Sequence, residues 1–427
     1  MERWPLFLFL VISTSLFGFS PKRPFAGWAI IQGPSTEIET VFAVQHKKNE
    51  TVSACVGIPQ VPCSLQPKET IKKSSESSDS VLTHFRFQIT DPDPEYTLLI
   101  KSNFNTDERR FSMLKDKVKL KFAVVSCMDD SLTEVQRAMW SNLLAKTPDV
   151  IFFIGDNVYA DKFLQRFEAA TPNVLWRRYF ETRESLDIFR AKKLIPIYAT
   201  WDDHDYGSND GNSDYPFKIA AKDTFFAFFP QYDSAVFQRG PGVASILQLA
   251  KQDFIFLDDR TFRSKDKMGD LETHWGMEQE DWLWKRLKSN KSPTWLINGD
   301  QFFGAYHKFE SYEGRHPVSF KKFLKELATI GKPVNFISGD RHLTEIMKIE
   351  KKEFGREAYE FTSSGIHAAV FPDSWSKSPN PRQLDGVSGA YNYMIIESTL
   401  EGAYLKSKAT AYGQDKVFFS REFQQKN

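Results

Sequence analysis

From Val118 onward, short β-branched and aromatic runs alternate with segments of helical period, and this alternation restricts the chain to an α/β architecture. Residues 121–126, 150–154 and 195–199 read as strands, and residues 254–257, 294–297 and 334–337 continue the series. Residues 133–146 carry Val135, Met139, Leu143 and Leu144 on one helical face, and further helices are expected over 174–191, 277–287 and 319–327. Beyond about residue 344 the pattern becomes strand-rich again, with runs at 393–396 and 417–419. No internal repeat interrupts the order.

Several of these strands hand over to a polar cluster. The first ends in Ser126-Cys127, and the second leads through Gly155 to Asp156-Asn157-Val158-Tyr159. The third leads to Asp202-Asp203-His204-Asp205, and a later one to Gly339-Asp340-Arg341-His342. Open α/β sheets bind ligands at the carboxyl ends of their strands, so all four clusters are expected on one rim. Taken singly, a Gly-Asp is a turn and an Asp-His pair a loop cap. Together they present the donor types of a metal site. Crowded acidic groups repel one another unless cations neutralise them, and a carboxylate can bridge two cations about 3.5–4 Å apart. Such a pair polarises a phosphoryl oxygen and activates a water to attack phosphorus. The thiolate of Cys127 and the phenolate of Tyr159 suit a transition metal such as iron. The carboxylates of Asp203 and Asp340 suit a harder neighbour such as calcium or manganese. The expectation is a binuclear or larger centre of iron plus calcium, with manganese or another divalent metal as the alternative.

Charge narrows the partners. The 427 residues carry a net charge of +1, which gives no argument for nucleic acid or an anionic membrane as partner. No protein partner is expected either. Met1-Glu2-Arg3 precedes an uncharged apolar run over 4–19, whose length fits a secretory leader better than a full membrane span. Gly18 and Ser20 give a small-residue cleavage pattern, while Pro21 directly after it disfavours the peptidase. Export is expected, to the periplasm, the extracellular space or the outer face of a membrane. Residues 1–20 are then a cleaved signal peptide or an uncleaved N-terminal anchor. Residues 26–112 are β-rich and read as a small sandwich, in which Cys55 and Cys63 could pair across a short loop. That leaves Cys127 as a lone thiol.

The ordered signatures S-C at 126–127, G-D-N-V-Y-A-D at 155–161, W-D-D-H-D-Y-G-S-N-D at 201–210, L-D-D-R-T-F-R-S at 257–264, S-G-D-R-H at 338–342 and T-S-S-G at 362–365 resemble the PhoD-like alkaline phosphatase/phosphodiesterase family, within the calcineurin-like metallophosphoesterase superfamily. The resemblance implies a calcineurin-like α/β/β/α sandwich over 118–427, preceded by the small β-sandwich domain. It implies Asp156 as a bridging carboxylate, joined by Cys127, Tyr159 and His342 on the iron-like site, with Asp203 and Asp340 holding the second metal. His204 would face the substrate, stabilising phosphoryl charge or protonating the leaving oxygen. Arg260 and Arg263 are candidate phosphate clamps, with structural ion pairs as the competing reading, and Asn209 is a further substrate contact.

The activity implied is hydrolysis of phosphate mono- or diesters, and the alternative is an exported binding protein on the same fold without catalysis. One departure concerns Asp300, in Asn298-Gly299-Asp300-Gln301, where the family often has a Ser-Ser-Gln-like segment. Metal ligand, substrate contact and turn residue all stay open for it. His367, after T-S-S-G, reads as an ordinary loop histidine or an extra substrate contact.

Overall fold

The computed structural model describes residues 30–31, 38–75, 78–91, 95–114, 117–162, 164, 169–231 and 237–427; the segment 1–20 lies outside them. Two sheets carry the α/β part. In the first, Ile197–Thr200, Val150–Ile154 and Lys119–Val125 run parallel, and Tyr393–Glu401, Tyr404–Tyr412 and Val417–Lys426 extend it as an antiparallel meander. In the second, Gln252–Phe256, Thr294–Ile297, Val334–Ser338 and Ala358–Ser363 form a parallel centre. Ser245–Leu249 and Phe237–Arg239 flank it antiparallel on one side, Leu343–Ile349 and Gln383–Ser388 on the other. Val150–Ile154 and Gln252–Phe256 are buried at every position, as strands covered on both faces must be.

The two sheets meet through aromatic rings. Phe122 packs edge-on against Phe254 at 5.2 Å and Trp295 at 5.6 Å, and Phe152 packs against Phe256 at 5.2 Å. Such contacts stabilise by burial and by their edge-to-face geometry. Helices cover the outer faces: Pro317–Leu327 buries Phe320, Phe323 and Leu327 at helical spacing, and Pro317 starts it where no amide donor is needed.

The N-terminal strands form two further sheets, one of Ile30–Ile31, Ile38–Lys47, Ser80–Ile89 and Glu69–Ser74, the other centred on Val52–Ile58, Glu95–Ser102 and Thr106–Ser112. Phe42 of one meets Phe111 of the other at 5.0 Å. Cys55 and Cys63 are joined by a disulfide. The edge strand Lys193–Leu194 pairs in parallel with Thr106–Ser112, tying the α/β part to this region. Two boundaries differ from expectation. The helix expected over 174–191 is Pro172–Ser185, and Leu186 turns extended before a short 3-10 turn, Asp187–Arg190. Residues 72–80, polar and read from the sequence as a break between strands, begin inside the strand Glu69–Ser74, which is recruited by pairing with Ser80–Ile89 despite its sequence. Among the described residues, no helix is long and apolar enough to cross a membrane.

Candidate metal centre

The parallel strands of both sheets point their carboxyl ends to one rim. Cys127 and Asp156 follow Lys119–Val125 and Val150–Ile154, and Asp203 follows Ile197–Thr200. Asp340 and His342 follow Val334–Ser338 in the facing sheet. Each chain must reverse within one or two residues to aim a side chain inward. Among the described residues nine non-glycine positions have positive φ, and Cys127, Asp156, Asp210, Asp340 and His342 account for five of them. Left-handed backbone is costly for such residues and concentrates at functional sites. Gly155 has φ +110°, and a Cβ there would lie 2.6 Å from the Asp202 Cβ, so only glycine lets the two strand ends approach.

Asp156 is the shared element. Its carboxylate gathers with Cys127 and His342, with Asp203 and His204, and with Asp202 and Asp340, the donor atoms in each group lying within 4.8 Å of one another. Asp203 forms a further group with Asp210 and Glu310. Cys127 Sγ is 3.5 Å from Asp156 Oδ2, and Tyr159 Oη is 3.2 Å from His342 Nε2. The Nδ1–H of His342 donates to the Ala369 carbonyl, an arrangement that leaves the Nε2 lone pair for the cluster. The sequence-predicted ligands Cys127, Asp156, Tyr159, Asp203, Asp340 and His342 therefore converge, although they are separated by as many as 215 positions.

The electrostatics of the metal-free cluster is unfavourable. Burial, the nearby Cys127 and the carboxylates of Asp203 and Asp205 push Asp156 well above the usual carboxylate range. Burial and the Asp203 charge raise Asp340 to about 7. Burial raises the Cys127 thiol to about 11. The Oδ1 atom of Asp156 is buried without a hydrogen-bond partner. Buried carboxyls that are raised despite the His204 and Arg341 charges, one with an oxygen left without a partner among the described residues, fit a site made for further positive charge. Burial also lowers His342, keeping its imidazole in the neutral, ligand-competent form.

His204 stands at the mouth of this cluster. Its Nδ1 is 2.6 Å from Asp161 Oδ1, and its ring packs against Tyr159 with centroids 4.4 Å apart and the planes tilted by 36°. Burial lowers its pKa, but the charges of Asp203, Asp156 and Asp161 outweigh that and raise it well above the usual imidazole value. A cleft of about 470 Å³ opens beside it, lined by Asp203, His204, Asn209, Asp340, Arg341 and His342 among others. Arg341 enters the same cleft, its guanidinium 4.4 Å from the centre of the Phe309 ring and in no ion pair among the described residues.

Arg260 and Arg263 do not line that cleft. Arg260 is fully buried, bonded at 2.7 Å to Asp202 and at 3.0 Å to Glu310. Arg263 is buried against Asp300 at 3.2 Å and Glu310 at 2.7 Å. These contacts match the competing reading of both residues, structural ion pairs with Asp202, Asp300 and Glu310, rather than open phosphate clamps. Asp300 belongs to this buried network, with His274 Nε2 at 3.2 Å and Asn298 Nδ2 at 2.6 Å. His367 lies in the loop after Ala358–Ser363 but is fully buried there, where it accepts from Trp140 Nε1 at 3.1 Å while Nδ1 meets the Asp129 carbonyl at 3.1 Å. The sequence reading passed over Asp161, Glu310 and Arg341 as functional candidates. Asp161 and Arg341 lie inside the quoted signatures; Glu310 sits in a loop that carries no signal.

These features define a mixed α/β protein with several sheets and a candidate metal-ligating rim. The profile of the PhoD-like phosphatase family matches residues 122–396, which include every predicted site residue, and the chain belongs to that family. It is by that membership a phosphatase-type hydrolase. No curated protein matches the chain.

Proposed function

We propose that this chain is an exported, metal-dependent phosphoesterase that hydrolyses phosphate mono- or diesters. The reading includes a β-sandwich domain over 26–112 and a calcineurin-like α/β/β/α catalytic domain over 118–427. The observation that carries it is the sharing of Asp156 by three donor groups that together include Cys127, His342, Asp203 and Asp340. Cys127, Asp156, Tyr159 and His342 would hold an iron-like cation, and Asp203 and Asp340, with Asp156 between, a calcium- or manganese-like one. Cations bound there supply Lewis-acid polarisation of the phosphoryl oxygen and activation of the attacking water.

The rest of the chemistry falls to the chain itself. His204, held by Asp161 and charged by its carboxylate neighbours, donates a proton to the departing ester oxygen as the P–O bond breaks. Arg341, in no ion pair among the described residues, pairs with a non-bridging phosphoryl oxygen, and Asn209, which lines the same cleft, donates to another. Export rests on the apolar run at 4–19 and agrees with the Cys55–Cys63 disulfide, a bond that persists in oxidising compartments.

The test is incubation of purified, iron- and calcium-supplemented protein with a chromogenic phosphate diester and monoester, beside elemental analysis. Turnover that disappears on chelation and returns with metal is the expected result. A protein that binds metal yet hydrolyses neither ester would be a binding protein on this fold.

A further inference from the structure

The cleft beside His204 has more apolar surface than a phosphate group needs. Phe309 is 49% exposed and Phe371 is 54% exposed, and both line it. Large aromatic side chains left half in water beside a polar cluster point to something that covers them. Their placement is specific. Arg341 lies 4.4 Å from the centre of the Phe309 ring, and the His342 imidazole stacks on Phe371 at 5.5 Å with 25° between the planes. Consecutive residues of the Asp340-Arg341-His342 loop thus each back one ring, so the rings flank the segment that carries the metal donors. An anion between the two apolar faces would lie beside the Arg341 side chain, which lines the same cleft.

We infer that this cleft selects phosphodiesters with flat, unsaturated groups on both ester oxygens, Phe309 stacking one arm and Phe371 the other while Arg341 holds the phosphoryl oxygen between them. The inference rests on the phosphoesterase reading above and deepens it. A cleft of about 470 Å³ falls in the range of small-molecule sites and accommodates two arms, whereas a simple alkyl phosphate leaves both rings in water. Stacking on an exposed ring tolerates many planar groups, so the selection is for flatness rather than for one chemical identity.

The experiment compares phenyl p-nitrophenyl phosphate with methyl p-nitrophenyl phosphate on the metal-replete protein. Both release the same p-nitrophenolate, so the arms differ while the bond broken stays the same. The phenyl ester is expected to have about tenfold higher kcat/KM, expressed mainly in KM. Phe309→Ala and Phe371→Ala are each expected to lose several-fold more on the phenyl than on the methyl ester. Phe104→Ala, at an exposed aromatic outside the cleft, is expected to keep the wild-type ratio. Equal kcat/KM for the two esters, or equal losses in the two cleft variants, overturns the inference while leaving phosphoesterase activity standing. Hydrolysis of neither ester removes both.

Discussion

Asp161 Oδ1 lies 2.6 Å from His204 Nδ1, so a carboxylate fixes one imidazole nitrogen of the residue that faces the cleft. The pair resembles an acid and its orienting partner, because the neighbouring negative charges favour the imidazolium that a proton donor requires. His204→Ala is expected to lower kcat by about 10²–10⁴-fold on an ester with a poor, alkyl-type leaving group. The loss should shrink for p-nitrophenolate, which departs without a proton. Asp161→Asn should follow the same trend with a smaller amplitude. Losses independent of leaving-group basicity, read from steady-state kinetics, would leave His204 an electrostatic role alone.

Asp156→Asn keeps the shape but replaces the anionic carboxylate at the shared position with a neutral amide, one of whose two heteroatoms can no longer ligate. Because three donor groups meet at this side chain, both cations should be lost or weakened together. Turnover is expected to vanish and the metal-to-protein ratio to fall. Full activity with unchanged metal content would show that Asp156 does not bridge.

Cys127 tests the iron-like half separately. Burial raises its thiol to about 11, so in the metal-free protein it stays protonated near neutrality. Only a cation brought close would favour the thiolate. Cys127→Ser is therefore expected to lower bound iron more than bound calcium. Iron content that does not change would return the thiol to the core as an inert side chain.

The sequence revealed the rim because strand ends and donor residues coincide in it, and a parallel sheet brings strand ends together by its topology. Thus Cys127, Asp156, Asp203, Asp340 and His342 were found without knowledge of their contacts. What stayed hidden depends on directions that residue type does not encode. Arg260 and Arg263 sit in a signature beside Asp259, but nothing in the letters says that Asp202, Glu310 and Asp300 lie behind them to take up their charge. Arg341 stands between two donors in the sequence, and its own side chain lines the cleft. Strands such as Glu69–Ser74 were missed for a similar reason: their partners supply the pairing and the sequence supplies little β preference.

The different surroundings of Arg341 and Arg260 separate the two arginines experimentally. Arg341→Ala removes a cleft guanidinium that has no ion pair among the described residues, so KM should rise about tenfold or more with little change in melting temperature. Arg260→Met instead strands Asp202 and Glu310 in the interior. Breaking a buried ion pair from one side costs about 3–5 kcal/mol, so thermal or urea unfolding should shift strongly. Reversed outcomes, stability loss at 341 and a pure KM effect at 260, would restore Arg260 as a substrate clamp.

His84 gives a pH dependence that does not involve the metal centre. It is buried on Ser80–Ile89 and its Nε2–H donates to the Ala227 carbonyl at 2.7 Å, joining the N-terminal strands to the α/β part. Burial lowers its pKa from 6.5 to about 4; the Ala227 carbonyl opposes this, and the Lys73, Arg183 and Arg86 charges add to it. Between those two values the unfolded chain binds a proton that the folded chain refuses. The contribution is therefore fully present above pH 6.5 and is lost as pH falls toward 4, amounting to on the order of 3 kcal/mol. Urea unfolding at pH 7.5, 5.5 and 4.5 should show this fall. In His84→Gln, which keeps an N–H donor for Ala227 but cannot titrate, the acid slope should be shallower by about that amount. An unaltered slope would assign the acid sensitivity to other buried histidines, His46, His274, His307, His316 and His367, whose pKa values burial also lowers.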